Sequence, residues 1–334
     1  MSGQVGVGVV GLGFVGAGAH LPAFQKMKQA NLVAISDVNE KALNKQAKKH
    51  GVPSTYTDYR KMLADPNVQA VVIAVPTQHH ASIAIAALEA GKHVLCEMPL
   101  ATTLAEVDRM LEAAKKAGVI LMPSLNFRFT PNYVKAKELI DKGELGKPTA
   151  IMYREWIPAA DLAMQWPAGS WVWNLKETGG PLFTLAVWSI DLMRWLLGVD
   201  FTDINACVEH FPIEKFGGTL GYNAFVNYKF PGGVIGALNT SGSVAHACST
   251  SILEVIGDNT RSIKANWNNE LTLFGHDPDK SDWIFREGGG HRQWGHMQMD
   301  EHFVDCILEG RQPSILPEDG RRAVEIALKI VGKA

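Results

Sequence analysis

Three glycines near the start of the chain have the spacing of a phosphate-binding loop. Gly11, Gly13 and Gly16 enclose Phe14 and Val15, follow an apolar run and precede a helical segment. The first glycine permits a tight turn, the second lets the backbone approach a pyrophosphate, and the third lets strand and helix pack closely. The helix N-terminus adds N–H groups that bind phosphate oxygens. This segment therefore predicts a site for a phosphate-containing nucleotide.

An acidic residue at the end of the next predicted strand indicates which nucleotide this is. Asp37 lies 21 residues beyond Gly16, where a carboxylate typically holds the ribose hydroxyls of a dinucleotide. Its charge would repel a 2′-phosphate, and no arginine follows at positions 38–40. The two features together favour NAD over NADP. The alternative is a glycine turn that binds nothing, with Asp37 serving only as a helix cap.

The elements that must position these residues change character along the chain. From residue 5 to about residue 122, short β-branched runs alternate with helical stretches, as in a parallel sheet of βαβ units. Beyond residue 148, turn sequences at 230–233 and 257–260 indicate antiparallel hairpins, and residues 180–197 form an apolar helical run. We therefore predict an α/β protein. An N-terminal Rossmann domain with a doubly wound parallel sheet (1–123) precedes a C-terminal α+β domain with an open, mainly antiparallel sheet (124–334).

The amino-acid composition and charge of the chain argue against several classes of function. A chain of 334 residues with 46% hydrophobic and 20% charged residues is typical of a globular protein with two cores. The net charge of −2 argues against a nucleic-acid partner. Because no apolar run is long enough for a bilayer and the start lacks a basic leader, we expect no membrane association and a cytoplasmic location. The four cysteines lie far apart, which predicts buried thiols rather than disulfides or a structural metal.

Five longer segments resemble the Gfo/Idh/MocA family, the group of glucose-fructose oxidoreductase and inositol dehydrogenase. They are AVVIAVPTQHH (70–80), AIAALEAGKHVLCEMPLA (84–101), NFRFTP (126–131), KELIDKGELGKP (137–148) and, after TGG, IDLMRWLLG (190–198). The resemblance runs nearly from end to end. It implies NAD(P) lying over the strand ends of a Rossmann domain and a sugar, polyol or related substrate. It also implies a second domain whose open sheet forms a homodimer or homotetramer interface.

The resemblance also places several residues near the nicotinamide half of the cofactor. They are Pro76, Thr77, His80, Glu97 and Asn126. For His80 alone, a capping or solvent-facing residue at a helix start is the simpler interpretation.

The residues that carry the family's proton chemistry are replaced. The family uses a Lys in a Glu-Lys-Pro motif and an Asp and a His four residues apart on a helix. Here Met98, which also lies in the cofactor-lining stretch, Thr184 and Trp188 occupy these positions. A thioether and an indole cannot accept a proton, and a Thr hydroxyl is too weak a base. We therefore predict non-standard proton transfer, with Trp188 either packed in the core or contacting an apolar ligand together with Met98.

Other side chains could replace the missing base or bind substrate. Lys176 is the first candidate for either role, the alternative being a solvated loop lysine. Arg128 could bind a substrate oxygen or form a salt bridge. Tyr153 and Glu155 share one face of a predicted strand, so either could contact a ligand.

Three histidines near the C-terminus complete the set of candidates. His291 and His296 flank glycines 288–290, which indicates either a mobile flap or an ordinary surface loop. With His302 they follow no zinc-ligand spacing, so no metal site is expected.

These features support one leading hypothesis and two alternatives. The leading hypothesis is an NAD(P)-dependent oxidoreductase acting on a sugar, polyol or related hydroxyl or carbonyl compound. The first alternative is a lyase or hydrolase that keeps NAD bound and causes no net redox change. The second is a catalytically silent NAD-dependent sensor or ligand-binding protein, since function lies in the site rather than in the fold.

Overall fold

The computed structural model describes residues 3–275, 280–285 and 295–333. The chain divides into two units, each built from two stretches of sequence. The first unit comprises Met1–Asn126 and Gly290–Val324, and the second comprises Phe127–Gly289 and Glu325–Ala334. The boundary drawn from the sequence kept everything after residue 123 together, whereas here a C-terminal stretch belongs to the first unit.

The first unit contains a six-stranded, wholly parallel sheet in the order β3-β2-β1-β4-β5-β6. Helices cover parallel sheets on both faces, which is why β1 and β4 are apolar or glycine and buried at every position. In this strand order ligands bind at the carboxyl ends of the strands, where the order reverses beside β1. The strands are β1 (Val5–Val10), β2 (Ala30–Ser36), β3 (Ser54–Tyr56), β4 (Ala70–Ile73), β5 (His93–Cys96) and β6 (Leu121–Pro123).

Helices of this unit begin and end at recognisable capping residues. The side chain of Asn39 accepts a hydrogen bond from the Ala42 N–H, and that of Thr103 accepts one from the Glu106 N–H. The second of these helices ends at Gly118 with φ 68°, a left-handed conformation that suits glycine. The helices up to residue 126 are α1 (Leu21–Lys26), α2 (Glu40–His50), α3 (Tyr59–Leu63), α4 (His80–Glu89) and α5 (Leu104–Ala117).

The second unit contains an eight-stranded sheet in the order β14-β13-β12-β11-β7-β10-β9-β8. All neighbours are antiparallel except β7 and β10, which are parallel. The fold class predicted from the sequence is therefore confirmed. The strands are β7 (Pro148–Pro158), β8 (Asp203–Ile213), β9 (Thr219–Lys229), β10 (Ile235–Val244), β11 (Thr250–Gly257), β12 (Ser262–Asn266), β13 (Glu270–Phe274) and β14 (Lys280–Ile284).

One face of this sheet is covered by helices and the other is open. Along β7, Ile151 and Tyr153 are buried while Met152 and Arg154 are exposed, as expected where side chains alternate between two faces. The buried face packs against α7 and α9. The helices of the second unit are α6 (Pro131–Asp141), α7 (Ala159–Gln165), α8 (Leu175–Thr178) and α9 (Gly180–Leu197), and two more close the chain, α10 (His296–Glu309) and α11 (Pro317–Ile330).

None of the helices within the described ranges combines the length and the hydrophobicity needed to span a membrane.

Candidate active site

The glycine loop joins β1 to a helix, and glycine is required at its three positions for different structural reasons. Gly11 adopts φ +92°, and an added Cβ would lie 2.4 Å from the carbonyl oxygen of Ala74. A Cβ on Gly16 would lie 2.0 Å from the carbonyl oxygen of Gly11. A Cβ on Gly13, in contrast, would meet nothing within 4 Å. The fold itself therefore requires the outer two glycines, while the middle one leaves open space in which a pyrophosphate fits against the backbone.

Asp37 contacts this loop directly. Its Oδ2 accepts a hydrogen bond of 2.8 Å from the Leu12 N–H, and its Oδ1 accepts one of 2.8 Å from the Asn39 N–H. The carboxylate is half-buried at the end of β2. Strand and loop thus hold a negative charge at the place where a dinucleotide presents its adenosine ribose.

The residues expected near the nicotinamide follow the carboxyl ends of three neighbouring strands. Pro76 and Thr77 follow β4, Glu97 and Met98 follow β5, and Asn126 follows β6. Because the carboxyl ends of parallel strands meet at one edge of the sheet, all five belong to the edge that binds ligands. Met98 is buried with 3% of its surface exposed.

His80 is buried between the same two loops. Its Nδ1 lies 2.8 Å from the carbonyl oxygen of Pro99 and its Nε2 lies 2.8 Å from that of Val75. Burial lowers its pKa below the usual 6.5, which favours a neutral ring that donates one hydrogen bond. His80 therefore donates to one of the two carbonyls and contacts the other, and so packs between the loop after β4 and the loop after β5.

Sequence reasoning did not predict a buried charge cluster that is built around Glu97, the residue that follows β5. Residues Gly16–His20 form a π-helical turn before α1, a feature that often accompanies functional sites. His20 is fully buried; its Nε2 lies 2.9 Å from Glu97 Oε1, and its Nδ1 lies 2.9 Å from Asp300 Oδ2. We call His20, Glu97 and Asp300 the His20 cluster.

The two carboxylates determine the protonation state of His20. Burial by itself lowers the pKa of His20, but the charge and hydrogen bond of Asp300, together with those of Glu97, outweigh it and raise the pKa to about 10. Burial would raise the pKa of Glu97, yet the hydrogen bond and charge of His20 hold it below its usual value. At neutral pH, His20 is therefore an imidazolium that donates one N–H to each carboxylate.

Two further residues contact Glu97 within the first unit. The Ser124 hydroxyl donates a hydrogen bond of 2.5 Å to Glu97 Oε1, and His296 Nε2 lies 4.0 Å from the same oxygen. His296 thus belongs to this buried environment rather than to a surface loop. Among the described residues no set of three or more His, Cys, Asp or Glu side chains is arranged as metal ligands. His291 and residues 288–290 lie outside the described ranges.

In the second unit, Thr184 and Trp188 lie one turn apart on α9. The Thr184 hydroxyl is buried and donates a hydrogen bond of 3.1 Å to the Gly180 carbonyl in the first turn of its own helix. Trp188 is half-buried. Lys176 lies in the short helix α8 with an exposed side chain, and its carbonyl accepts a hydrogen bond from the Lys333 Nζ.

Arg128 and Asp191 form a buried bidentate salt bridge. Arg128 Nε donates to Asp191 Oδ2 at 2.8 Å, and Nη2 donates to Oδ1 at 2.5 Å. Of the two alternatives for Arg128, the salt bridge is therefore present. The pair fixes α9 against the segment that precedes α6.

Tyr153 and Glu155 lie on the helix-covered face of β7, as the alternation predicted. The Tyr153 hydroxyl lies 2.7 Å from the Ser251 hydroxyl and is fully buried. Glu155 is half-buried, and the loss of solvation raises its pKa from 4.5 to about 7. A carboxyl group with this pKa takes up and releases protons near neutral pH.

Comparison with known proteins identifies the family. Residues 5–125 match the family model described as "Oxidoreductase family, NAD-binding Rossmann fold", and residues 133–262 match the "GFO/IDH/MocA C-terminal domain". The chain belongs to the GFO/IDH/MocA oxidoreductase family. The resemblance read from the sequence motifs is thereby confirmed, as are an oxidoreductase with an NAD-binding Rossmann domain and NAD as the cofactor.

Individual relatives cover nearly the whole chain. A myo-inositol 2-dehydrogenase of Thermotoga maritima is 30% identical over 95% of this chain and 92% of its own length. A scyllo-inositol 2-dehydrogenase (NAD(+)) of Bacillus subtilis is 26% identical over 98% of this chain and 93% of its own. The solved structure of a levoglucosan dehydrogenase in complex with NADH and levoglucosan has a TM-score of 0.87, at 26% identity, and covers 99% of this chain and 97% of that one.

Proposed function

We propose that this protein is an NAD(H)-dependent oxidoreductase that interconverts a hydroxyl and a carbonyl group on a sugar, polyol or related small molecule. The observation that carries the proposal is the glycine loop. Its backbone is open at Gly13, and the Asp37 carboxylate is bonded to the N–H of Leu12 within it. A loop with both features fits a dinucleotide with unmodified ribose hydroxyls.

The residues of the first unit would hold the cofactor in a defined order. Gly11, Gly13, Phe14, Val15 and Gly16 would bind the pyrophosphate, and Asp37 the adenosine ribose. The nicotinamide half would be lined by Pro76, Thr77, His80, Glu97, Met98 and Asn126. When bound, the oxidised cofactor supplies the hydride acceptor and the reduced one the hydride donor.

The preference for NAD over NADP follows from the charge of Asp37. A 2′-phosphate would place about two negative charges against a carboxylate whose two oxygens already accept backbone hydrogen bonds. An aspartate held in this way cannot turn aside without breaking those bonds. We therefore infer weaker binding of NADPH than of NADH.

The substrate class is inferred from the relatives and from the second unit. The relatives named above act, by their names, on inositols and levoglucosan, which carry several hydroxyl groups. In this chain the hydroxyls of Tyr153 and Thr184 are buried and bonded to Ser251 and to the Gly180 carbonyl, and Arg128 is paired with Asp191. Glu155 and Lys176 offer hydrogen-bonding groups and Trp188 offers an aromatic surface. Such a mixture suits a small polar ligand with an apolar ring face.

Proton transfer is the part of the reaction for which this chain lacks the family's residues. Oxidation of an alcohol needs a group that accepts the hydroxyl proton. Met98, Thr184 and Trp188 occupy the family's three proton-transfer positions, and none of them has a suitable pKa. We infer that another side chain accepts the proton and that these three residues shape the site.

The test combines cofactor binding with turnover. NADH would be titrated by fluorescence, and absorbance at 340 nm would then be followed with a panel of inositols, aldoses, anhydrosugars, polyols and their ketones. A change in absorbance with product formed in equal amount supports the proposal. Product without a change in absorbance would point to a lyase or hydrolase, and tight cofactor binding with no product to a sensor.

We further infer that the open face of the second sheet joins two or four copies of the chain. Met152 is 37% exposed, Phe225 61% and Ile235 60%, and all three lie on neighbouring strands of that face. An apolar face of this kind is typical of a contact between subunits. Sedimentation equilibrium tests this: a dimer or tetramer is expected for the wild type and monomers for Phe225→Glu. A monomeric wild type at tens of micromolar would contradict it.

A further inference from the structure

The His20 cluster contains more acidic groups than basic ones. Both ring nitrogens of His20 face a carboxylate: Nε2 lies 2.9 Å from Glu97 Oε1, and Nδ1 lies 2.9 Å from Asp300 Oδ2. A carboxylate only accepts hydrogen bonds, and a neutral imidazole donates only one. The two contacts therefore require one proton more than a neutral histidine between two carboxylates supplies. Two negative charges and one added proton leave the cluster with one negative charge, wherever that proton lies.

The added proton stays in the cluster at neutral pH. Burial lowers the pKa of His20, but the charges and hydrogen bonds of Asp300 and Glu97 raise it to about 10. Asp300 has no freedom to turn away, because both of its oxygens lie within 3.0 Å of His20 Nδ1 and its side chain is fully buried. All three residues belong to the first unit, which also carries the glycine loop.

Two titratable neighbours of Glu97 carry no charge at neutral pH. Burial raises the pKa of the Cys96 thiol well above its usual value, so the thiol keeps its proton. Burial lowers the pKa of His80 below 6.5, so its ring is neutral. Neither residue therefore compensates the charge of the cluster.

The third titratable neighbour is His296. Its Nε2 lies 4.0 Å from Glu97 Oε1, and its ring meets that of His20 edge-on with centroids 5.7 Å apart. Glu97 Oε1 already accepts hydrogen bonds from His20 and from the Ser124 hydroxyl. A proton on His296 would place a second positive charge beside the His20 imidazolium, and like charges repel. This repulsion favours a neutral His296 and a cluster that keeps its negative charge.

Among the three side chains of the cluster, that of Glu97 alone is accessible from outside. The side chains of His20 and Asp300 are 0% exposed, whereas that of Glu97 is 8% exposed. Glu97 directly follows β5, and its N–H donates a hydrogen bond of 3.0 Å to the carbonyl oxygen of Ile73, the last residue of β4. It thus lies at the carboxyl ends of two parallel strands, where ligands of such a sheet bind. The negative charge of the cluster meets a bound cofactor through Glu97.

The cluster is also continuous with the pyrophosphate-binding loop. The π-helical turn Gly16–His20 begins at the last glycine of that loop and ends at His20. The backbone of His20 therefore continues from one part of the cofactor site, and its side chain holds Glu97 in another.

A purely structural link would not need the second carboxylate. An ion pair between His20 and either carboxylate would connect the same elements with balanced charge. The second carboxylate leaves one buried negative charge unbalanced, and a buried unbalanced charge is costly in free energy. A cation bound nearby would offset this cost. The oxidised nicotinamide ring carries one positive charge that the reduced ring lacks, and protein charges near the ring tune this difference.

We propose that the His20 cluster holds one buried negative charge at the nicotinamide edge of the first sheet and thereby stabilises the oxidised cofactor relative to the reduced one. Glu97 meets the cofactor, and His20 and Asp300 are positioning residues that act through it. The charge favours loading with NAD+ and release of NADH, which suits the oxidation of an alcohol. The inference rests on the cofactor site of the proposed function and needs no substrate.

The relative affinities for the two cofactor forms test the charge. The Kd for NADH would be measured by fluorescence, and the Kd for NAD+ by displacement of NADH. Asp300→Asn removes one carboxylate, while its amide oxygen can still accept the hydrogen bond from His20. The ratio of the Kd for NAD+ to the Kd for NADH should increase by roughly tenfold. A tenfold change corresponds to a rise of about 30 mV in the potential of the bound two-electron couple.

A structural role predicts a different result, because a distorted pocket binds both forms more weakly and leaves the ratio unchanged. Glu97→Gln removes the other carboxylate and should move the ratio in the same direction, so the test does not depend on the folding of one variant. His296→Gln should leave the ratio unchanged.

Glu89→Gln is the matched control for the loss of one negative charge. Glu89 is exposed and is the last residue of α4. This helix follows β4 and connects it to the parallel strand β5, so it ends at the edge of the sheet opposite the strand ends. The ratio of the two Kd values should therefore be that of the wild type.

The outcomes separate this inference from the function on which it rests. A wild type that binds both cofactor forms, with a ratio that neither Asp300→Asn nor Glu97→Gln changes, would overturn the role of the cluster and leave the proposed function intact. A ratio that falls in His296→Gln would reveal a compensating positive charge and overturn the inference as well. A wild type that binds neither form would remove the proposed function and the inference together.

Discussion

Replacement of His20 by glutamine tests whether the buried cluster is an ion triad. The pKa of His20 is raised from 6.5 to about 10, a difference of about 3.5 units. At pH 7 the folded protein keeps a proton that the unfolded chain has mostly released. With about 1.36 kcal/mol per unit, the interval from pH 7 to a pKa of about 10 corresponds to roughly 4 kcal/mol. In His20→Gln a proton shared by Glu97 and Asp300 would recover part of this free energy. We therefore expect the free energy of unfolding to fall by about 3 to 4 kcal/mol. Removal of one partner of a buried ion pair typically costs about 3 to 5 kcal/mol.

The pH dependence follows from the sign of the shift. Because the folded-state pKa is raised, the stability contributed by His20 is fully present below pH 6.5 and is lost as the pH rises through about 10. The free energy of unfolding of the wild type should therefore fall by up to about 1.4 kcal/mol per pH unit between pH 7 and pH 9.5. A salt bridge on the surface would show neither this size nor this slope.

Cysteine reactivity provides the assay. Cys96 is completely buried and directly precedes Glu97. Cys207 and Cys248 are exposed, so the prediction of buried thiols was wrong for these two, and they should react at once. Alkylation of Cys96 under native conditions, followed by mass spectrometry and normalised to a free thiol at each pH, reports opening of the first unit. A loss of about 4 kcal/mol at pH 7 would speed this reaction by roughly a thousandfold.

His79→Gln is the matched control, because His79 is exposed in the same unit. A His20→Gln variant within about 1 kcal/mol of wild type at pH 7 would refute the reasoning. So would a wild type whose free energy of unfolding does not fall as the pH rises from 7 to 9.5.

Four further predictions concern the cofactor and the proton. Gly13→Ala should fold normally, since its Cβ meets nothing within 4 Å, yet it should bind NADH at least tenfold more weakly in a fluorescence titration. The control Gly3→Ala, which is equally uncrowded, should bind NADH as the wild type does. Equal affinities of Gly13→Ala and the wild type for NADH would contradict the proposed cofactor site. Gly16→Ala should unfold more readily in urea, because its Cβ would lie 2.0 Å from a carbonyl oxygen. Asp37→Ala should reduce the preference for NADH over NADPH, measured as the ratio of Kd values; an unchanged ratio would exclude Asp37 as the determinant. Met98→Lys should increase the rate of alcohol oxidation, measured at 340 nm, and a variant no faster than wild type would argue against position 98 facing the reaction.

The local sequence pattern was sufficient to predict the fold class and the cofactor-binding loop. Helix α9 has the bounds that hydrophobic patterning predicted, and the sharp turn at Gly11 follows from its place after a buried strand. These features depend on neighbours in sequence. The family resemblance then added the strand-end residues, which local spacing could not have placed together.

The His20 cluster could not be predicted in the same way. His20 and Asp300 are 280 residues apart, and neither lies in a motif with recognisable spacing. The return of the C-terminal stretch to the first unit, which brings Asp300 and His296 to Glu97, is a tertiary event without a local signal. For Glu155, alternation predicted the face of β7, but its raised pKa depends on burial, which appears only in the folded chain.

Transfer of deuterium from reduced cofactor to product tests the central claim most directly. The protein would be incubated with NADH carrying deuterium at C4 and with ketones related to inositols and anhydrosugars, and the products analysed by mass spectrometry while absorbance at 340 nm is followed. The account predicts one deuterium on the new carbinol carbon, with loss of NADH in equal amount. Tight binding of NADH without deuterium in any product would contradict an oxidoreductase acting on this class of compound.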